Sequence, residues 1–372
     1  MSMDRRRFLA TSALTASAYT LASRVAFAAE PKHVSWLAEI QRRPEKLPAE
    51  IKDFPSLLVD ASGKPITSVE QWVKRRDTIL AWWLNFLGKG PARDPAKPPK
   101  FKVLEEDTVG KVKRQRIEYE VEPGVTTEAY LCLPTDLAAP APGVVCFHST
   151  VDHSIRQPAG LGPDVQKAFG LKFAQQGRVV LSPRNFLWPT NDKLKAKEET
   201  DKYLARVPKS TGMAKMLHDA LVAVDILANL PNVDANRLGA VGHSLGAKEV
   251  LYLAAFDERI KATVSSEGGV GIRFSNWNAP WYLGPAVDEP GFAHDHHELL
   301  ALCAPRPFLL VAGEVAQKGA DGDRGWPFIA SALPVYELYT KRPILGQFNH
   351  RLGHAVPPIA EERIEEFFAA YL

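Results

Sequence analysis

The sequence predicts an α/β protein: a mainly parallel sheet with helices on both faces, preceded by a helical N-terminal extension. Three observations carry this expectation. From Phe101 onward, strand-like and helix-like segments take turns, as in chains built from crossover-connected parallel strands. "PGVVCFHST", from Pro142 to Thr150, is apolar almost without a break, which suits a strand covered on both faces. "AVGHSLGAKEVLYLAAF", from Ala240 to Phe256, sets one serine between two glycines where a strand gives way to a helix.

Taken in order, residues 1–28 read as an address. Arg5, Arg6 and Arg7 precede Phe8 and Leu9, an apolar stretch rich in small residues follows, and Ala26-Phe27-Ala28 fits a signal-peptidase site. This is the pattern of a twin-arginine export signal, so the expected location is periplasmic or secreted. Residues 29–100 form the extension and a linker. "SVEQWVKRRDTILAWWLNFLG" spaces Trp72, Ile79, Trp82, Trp83, Phe86 and Leu87 at about the helical period, a stripe expected to pack on the main domain. Pro91 to Pro99 reads as the linker. Residues 101–372 form the expected catalytic domain. "FKVLEEDTV", "VKRQRIEYEVE" and "TTEAYLCLP" alternate as half-buried strands do. "RVVLSP" then leads to a long helix around "MAKMLHDALVAVDILANL", and "RLGAVGHS" to the helix after Ser244. "KATVSSEGG", "HHELLALCA", "PFLLVAGE", a helix near Val335–Leu338, "ILGQFNH" and a closing helix complete the series.

Composition narrows the function classes. Hydrophobic residues make up 45% and charged residues 24% of the 372, as in ordinary globular chains. Residues 1–28 hold four Arg and one Asp, so without them the 46 basic and 43 acidic residues become 42 and 42. A neutral mature chain argues against nucleic acid or an anionic membrane as partner. The oligomeric state is left open. Cys132, Cys146 and Cys303 allow one disulfide at most, and the first two lie in apolar strand-like runs as small hydrophobes.

Gly-His-Ser-Leu-Gly carries the chemistry. A serine hydroxyl becomes a useful nucleophile only when a base takes its proton and the backbone presents it to a substrate. A sharp strand-to-helix turn supplies the presentation. A Cβ at Gly242 or Gly246 would collide with the adjoining strand or helix, and the amide of Leu245 would face a developing oxyanion at a helix N-terminus. His350 and His354 follow the last expected strand. "LGHAVPP" suits a loop that returns a base to the serine, so His354 is the expected base and His350 a structural residue. His243 is expected to point away from the elbow.

With these motifs the chain resembles the α/β-hydrolase superfamily from about residue 101 to its end. "AAFDERI", "HELLALCAPRPFLLVAG" and "HRLGHAVP" bring it nearest to the branch of dienelactone hydrolase-like proteins, acetyl xylan esterases and glucuronoyl esterases. The resemblance implies the α/β-hydrolase fold and a serine–acid–histidine order along the chain. It places the acid after "FLLVAG", where Glu314, Asp321 and Asp323 are available. Asp323 is preferred, because a proline follows it four residues on, as in many relatives. Glu314 and Asp321 are alternatives, and so is Glu267 in "SSEGG", where some glucuronoyl esterases carry their acid. The second oxyanion amide would come from Thr150, after "GVVCFHS". Trp277, Trp281 and Lys248 are candidate substrate contacts, the lysine because glucuronoyl esterases contact substrate with one at this place. Those esterases have an arginine directly after the serine, whereas here Leu245 follows it.

"HDHHE", His294–Glu298, suggests a metal cluster, but no further ligand pair stands at a useful spacing, so no metal and no cofactor are expected. The activity these observations imply is hydrolysis of carboxylic esters by an exported serine esterase with a Ser244–His354–Asp323 triad, its expected partner a small-molecule or polysaccharide ester such as acetyl xylan. The alternatives are a prolyl-oligopeptidase-like peptidase, a dienelactone or other lactone hydrolase, and a non-catalytic binding protein.

Overall fold

The computed structural model describes residues 33–48 and 53–372; the expected export signal, 1–28, lies outside them. Residues 33–372 form one compact unit. Its centre is a nine-stranded sheet. β1 (Phe101–Val109), β2 (Val112–Glu122) and β3 (Val125–Pro134) make an antiparallel meander. β4 (Ala141–Phe147), β5 (Val179–Pro183), β6 (Val233–His243), β7 (Ile260–Ser266), β8 (Phe308–Ala312) and β9 (Leu345–Asn349) follow. The spatial order is β1-β2-β3-β5-β4-β6-β7-β8-β9, antiparallel as far as β5 and parallel from there to β9.

The apolar runs become the parallel strands because both their faces are covered. On β4, Val144 packs with Val241, Val264, Ile364 and Phe367 on one side of the sheet, and Val145 packs with Ala240, Leu253 and Val224 on the other. The first side is closed by α9 (Pro358–Tyr371), the second by α5 (Gly212–Ala228) and α6 (Leu245–Phe256). Cys132, Cys146 and Cys303 are all free and buried. Among the described residues no helix is long and apolar enough to cross a membrane.

The aromatic stripe of the extension packs as its spacing foretells. α1 is the short Leu37–Ile40; α2 spans Val69–Leu87 and is capped by Ser68, whose hydroxyl accepts from the Gln71 amide. Trp72, Ile79, Trp83 and Leu87 are buried in one cluster with Met213, Leu251, Tyr252 and Leu299. Trp83 donates its indole N–H to Glu298 at 2.7 Å, in a buried setting. Trp83→Phe would keep an aromatic ring in the core but shrink it and strip that carboxylate of a donor, so we expect a loss of about 1–3 kcal/mol in chemical denaturation. The linker is also tied down: Arg93 holds both oxygens of buried Asp225 at 2.7 Å.

Two elements differ from expectation. α4 (Ala196–Arg206) is a helix whose only buried residues are Thr200 and Tyr203, so it has too little apolar face to be seen by periodicity. α8 runs Trp326–Glu337 rather than lying near Val335–Leu338. Pro327 sits in its first turn, where proline is tolerated, and Pro334 lies inside it. α3 (Phe169–Gln175) and α7 (His297–Leu302) complete the helices.

Candidate functional site

The site lies beyond the C-terminal ends of the parallel strands. Ser244 stands between β6 and α6 with φ 60° and ψ −114°, a conformation rarely adopted by a residue with a side chain. The neighbouring glycines permit this turn. A Cβ on Gly242 would stand 2.2 Å from the carbonyl carbon of Gly246, and one on Gly246 would stand 2.5 Å from the Phe147 oxygen at the end of β4. Helix start, nucleophile strand and β4 thus touch backbone to backbone. As the first residue of α6, Leu245 has an amide without an intrahelical acceptor.

His354 comes from the loop between β9 and α9. Its Nε2 lies 2.9 Å from Ser244 Oγ, and its Nδ1 lies 3.3 Å from Glu267 Oε2. The structure therefore brings Ser244, His354 and Glu267 into one chain of contacts. Glu267 directly follows β7, has φ 57°, and buries its side chain completely, while that of His354 is 38% exposed. The Glu267 carboxylate also accepts the amides of Gly313 and Ala320, which fixes its direction.

Asp323, the preferred acid in the sequence, is elsewhere engaged. Its oxygens accept from Arg351 at 3.0 and 3.1 Å and from Asn349 Nδ2 at 2.8 Å. Glu314 shares those two partners, at 3.0 Å from Arg351 and 3.3 Å from Asn349. A guanidinium fork and an amide hold these carboxylates on the far strand of the histidine loop, and the imidazole N–H is left to Glu267. Asp321 is completely buried and accepts from the Gly269 amide at 3.0 Å and from the Val270 amide. Burial and the adjacent Glu267 push its carboxyl up to about 6, against the opposing pull of Lys248.

The other expected residues fall in several places. Ser149 donates its amide to Gln157 at 2.9 Å, so Thr150, exposed next to it, is the loop residue on the open side. His148, which the sequence did not single out, props this loop. Its Nδ1 lies 2.7 Å from the Ser149 carbonyl, and its Nε2 accepts the Asn185 amide at 3.2 Å. Burial lowers its pKa to about 4, so the ring is neutral, with the proton on Nδ1. His243 does not point clear of the site. Its ring centroid is 4.7 Å from that of His354, its Nδ1 is 3.0 Å from Ser266 Oγ, and burial holds its pKa well below the ordinary value. His350 is turned to backbone, accepting the Leu352 amide at 3.1 Å.

Trp277 is buried, donates to the Gly269 carbonyl at 2.7 Å, and packs as a lid residue rather than an open platform. Trp281 is half-buried beside the start of α5. Lys248, on α6, differs most from a substrate contact. Its ammonium is buried without a hydrogen-bond partner, 3.8 Å from the Trp277 ring centroid and 5.1 Å from that of Tyr282. Burial lowers its pKa to about 7, and Asp321 acts against that shift. The "HDHHE" histidines part ways: His294 pairs with Glu298, His296 bridges the Val270 carbonyl and Tyr252, and His297 stacks on Phe54. Among the described residues no group of three or more His, Cys, Asp or Glu could hold a metal ion.

Comparison with solved structures bears on the fold. A glucuronoyl esterase from Solibacter usitatus superposes with TM-score 0.68 at 22% identity, covering 87% of this chain and 99% of that one. The chain has the α/β-hydrolase fold. A promiscuous CE15 esterase from a marine bacterial metagenome aligns onto this chain with TM-score 0.65 at 19% identity, over 87% of this chain and 98% of the other. Residues 127–290 match the model of the dienelactone hydrolase family. In sequence, the chain is 29% identical over 197 residues to "Putative hydrolase YtaP" of Bacillus subtilis (strain 168). That alignment takes in 50% of this chain and spans 64% of the relative's length.

Proposed function

We propose that this protein is an exported serine esterase in which Ser244 is the nucleophile, His354 the base and Glu267 the acid. The observation that carries the reading is the unbroken path from Ser244 Oγ through both nitrogens of His354 to a buried carboxylate. Ser244 attacks the ester carbonyl while His354 Nε2 takes its proton. The amides of Leu245 and Thr150 hold the oxyanion, each worth about 3 kcal/mol of barrier. Glu267 keeps the proton of neutral His354 on Nδ1 and stabilises the imidazolium. His354 then protonates the leaving alcohol, and water, activated the same way, releases the acid and restores Ser244.

Carbohydrate esters are the proposed substrates, supported by the structural likeness to an enzyme named as a glucuronoyl esterase. Export is supported by the arginine-led N-terminus. The test combines a fluorophosphonate probe with a panel of acetylated xylan, glucuronate methyl esters, aryl esters and lactones. The expected result is one adduct, on Ser244, and turnover of at least one ester class. A chain that stays unlabelled, or a Ser244→Ala variant that hydrolyses esters at the wild-type rate, would end this reading.

A further inference from the structure

The loops after β7 and β8 exchange carboxylates. Glu267, from the first loop, accepts the amides of Gly313 and Ala320 in the second. Asp321, from the second loop, accepts the amides of Gly269 and Val270 in the first. The turn so clasped is strained: Glu267 has φ 57° and Gly269 φ 74°. A non-glycine residue in that region costs about 1–3 kcal/mol and persists only where its surroundings hold it. Asp321 is the half of the clasp that touches neither Ser244 nor His354.

We propose that Asp321 is a positioning residue of the proposed active site: by filling the amide pair of Gly269 and Val270 it locks the turn that presents Glu267 to His354. The inference rests on the esterase reading above. The charged groups that face Asp321 are Glu267 from the loop after β7 and Lys248 from α6. On its own loop, Arg324 donates to the Asp321 and Ala320 carbonyls. Lys248 has no hydrogen-bonded acceptor and lies against Trp277, whose indole N–H is fixed to Gly269 in the same turn.

The test is Asp321→Asn, made in the wild-type and in the Glu267→Gln background and read by steady-state kinetics. The change removes the anion and one amide acceptor. In the wild-type background kcat is expected to fall about 10- to 100-fold with KM changed less than about threefold, the pattern of lost positioning. In the Glu267→Gln background the same change should cost less than about threefold, because a residue that acts through Glu267 then has nothing left to place. Asp321→Asn with wild-type kcat overturns the proposal, and so does an equal loss in both backgrounds, which is what a merely loosened loop would give. If Asp321→Asn does not fold, Asp321→Ser is read the same way. If the wild-type protein turns over no ester, it is the esterase reading that fails, and the NMR signal of the His354 ring proton that faces Glu267 still judges Asp321: it should shift in Asp321→Asn, and an unmoved signal overturns the proposal.

Discussion

Ser244→Gly is expected to lower ester turnover by about 10⁵- to 10⁶-fold, because the residues of such a triad act as a unit and little remains once the nucleophile is gone. The same substitution should leave a more stable protein than Ser244→Ala does. Both variants lose the 2.9 Å contact with His354, so that contact cancels in the comparison. They differ in the backbone. At φ 60° and ψ −114°, alanine keeps the strain of a Cβ in a disfavoured region, whereas glycine does not. Relief of about 1–3 kcal/mol, less the greater entropy that glycine loses on folding, puts the glycine variant about 1 kcal/mol ahead. Urea denaturation of the two variants measures this directly. Equal midpoints would mean that the elbow stores no strain at position 244.

The second large effect separates the two acids. Glu267→Gln should cut kcat by about 10³- to 10⁴-fold, since the amide cannot stabilise the imidazolium or hold its tautomer in the same way. Asp323→Asn should stay within about threefold of wild type, because its partners are Arg351 and Asn349 on the rim of the site. The Arg351 side chain is 58% exposed, so loss of that ion pair changes stability by less than about 1 kcal/mol. Steady-state kinetics on one ester substrate suffices. A larger loss from Asp323→Asn than from Glu267→Gln would return the acid to the position the sequence preferred.

That preference shows where one-dimensional reasoning ran out. The proposed nucleophile and base, Ser244 and His354, could be picked out because each has a local signature. The glycine pair marks a turn that only small residues can make, and "LGHAVPP" places a histidine after the last strand. The acid has no such signature. Four carboxylates stand at the ends of two neighbouring strands, and nothing in their order says which one an arginine has already taken. Arg351 resolves this by pairing with Glu314 and Asp323, yet it lies 28 residues beyond Asp323 in the chain. Asp321 stood among the alternative acids, and in the fold it is wholly buried against the amides of Gly269 and Val270. Lys248 looked like a substrate contact, and in the fold its ammonium is sealed beneath Trp277.

What the sequence by itself determined is whatever follows from period and sterics along the chain. The buried parallel strands come from unbroken apolar runs. The buried face of α2 comes from aromatic residues at helical spacing. The elbow comes from two glycines that a methyl group would drive into backbone. What only the tertiary structure decided is the pairing of charges across loops: which carboxylate meets His354, which two brace Arg351, and which one fills the amides behind Glu267. Those choices are contests between hydrogen-bond donors contributed by distant segments, and their outcome depends on distances that exist only once β7, β8 and β9 lie side by side.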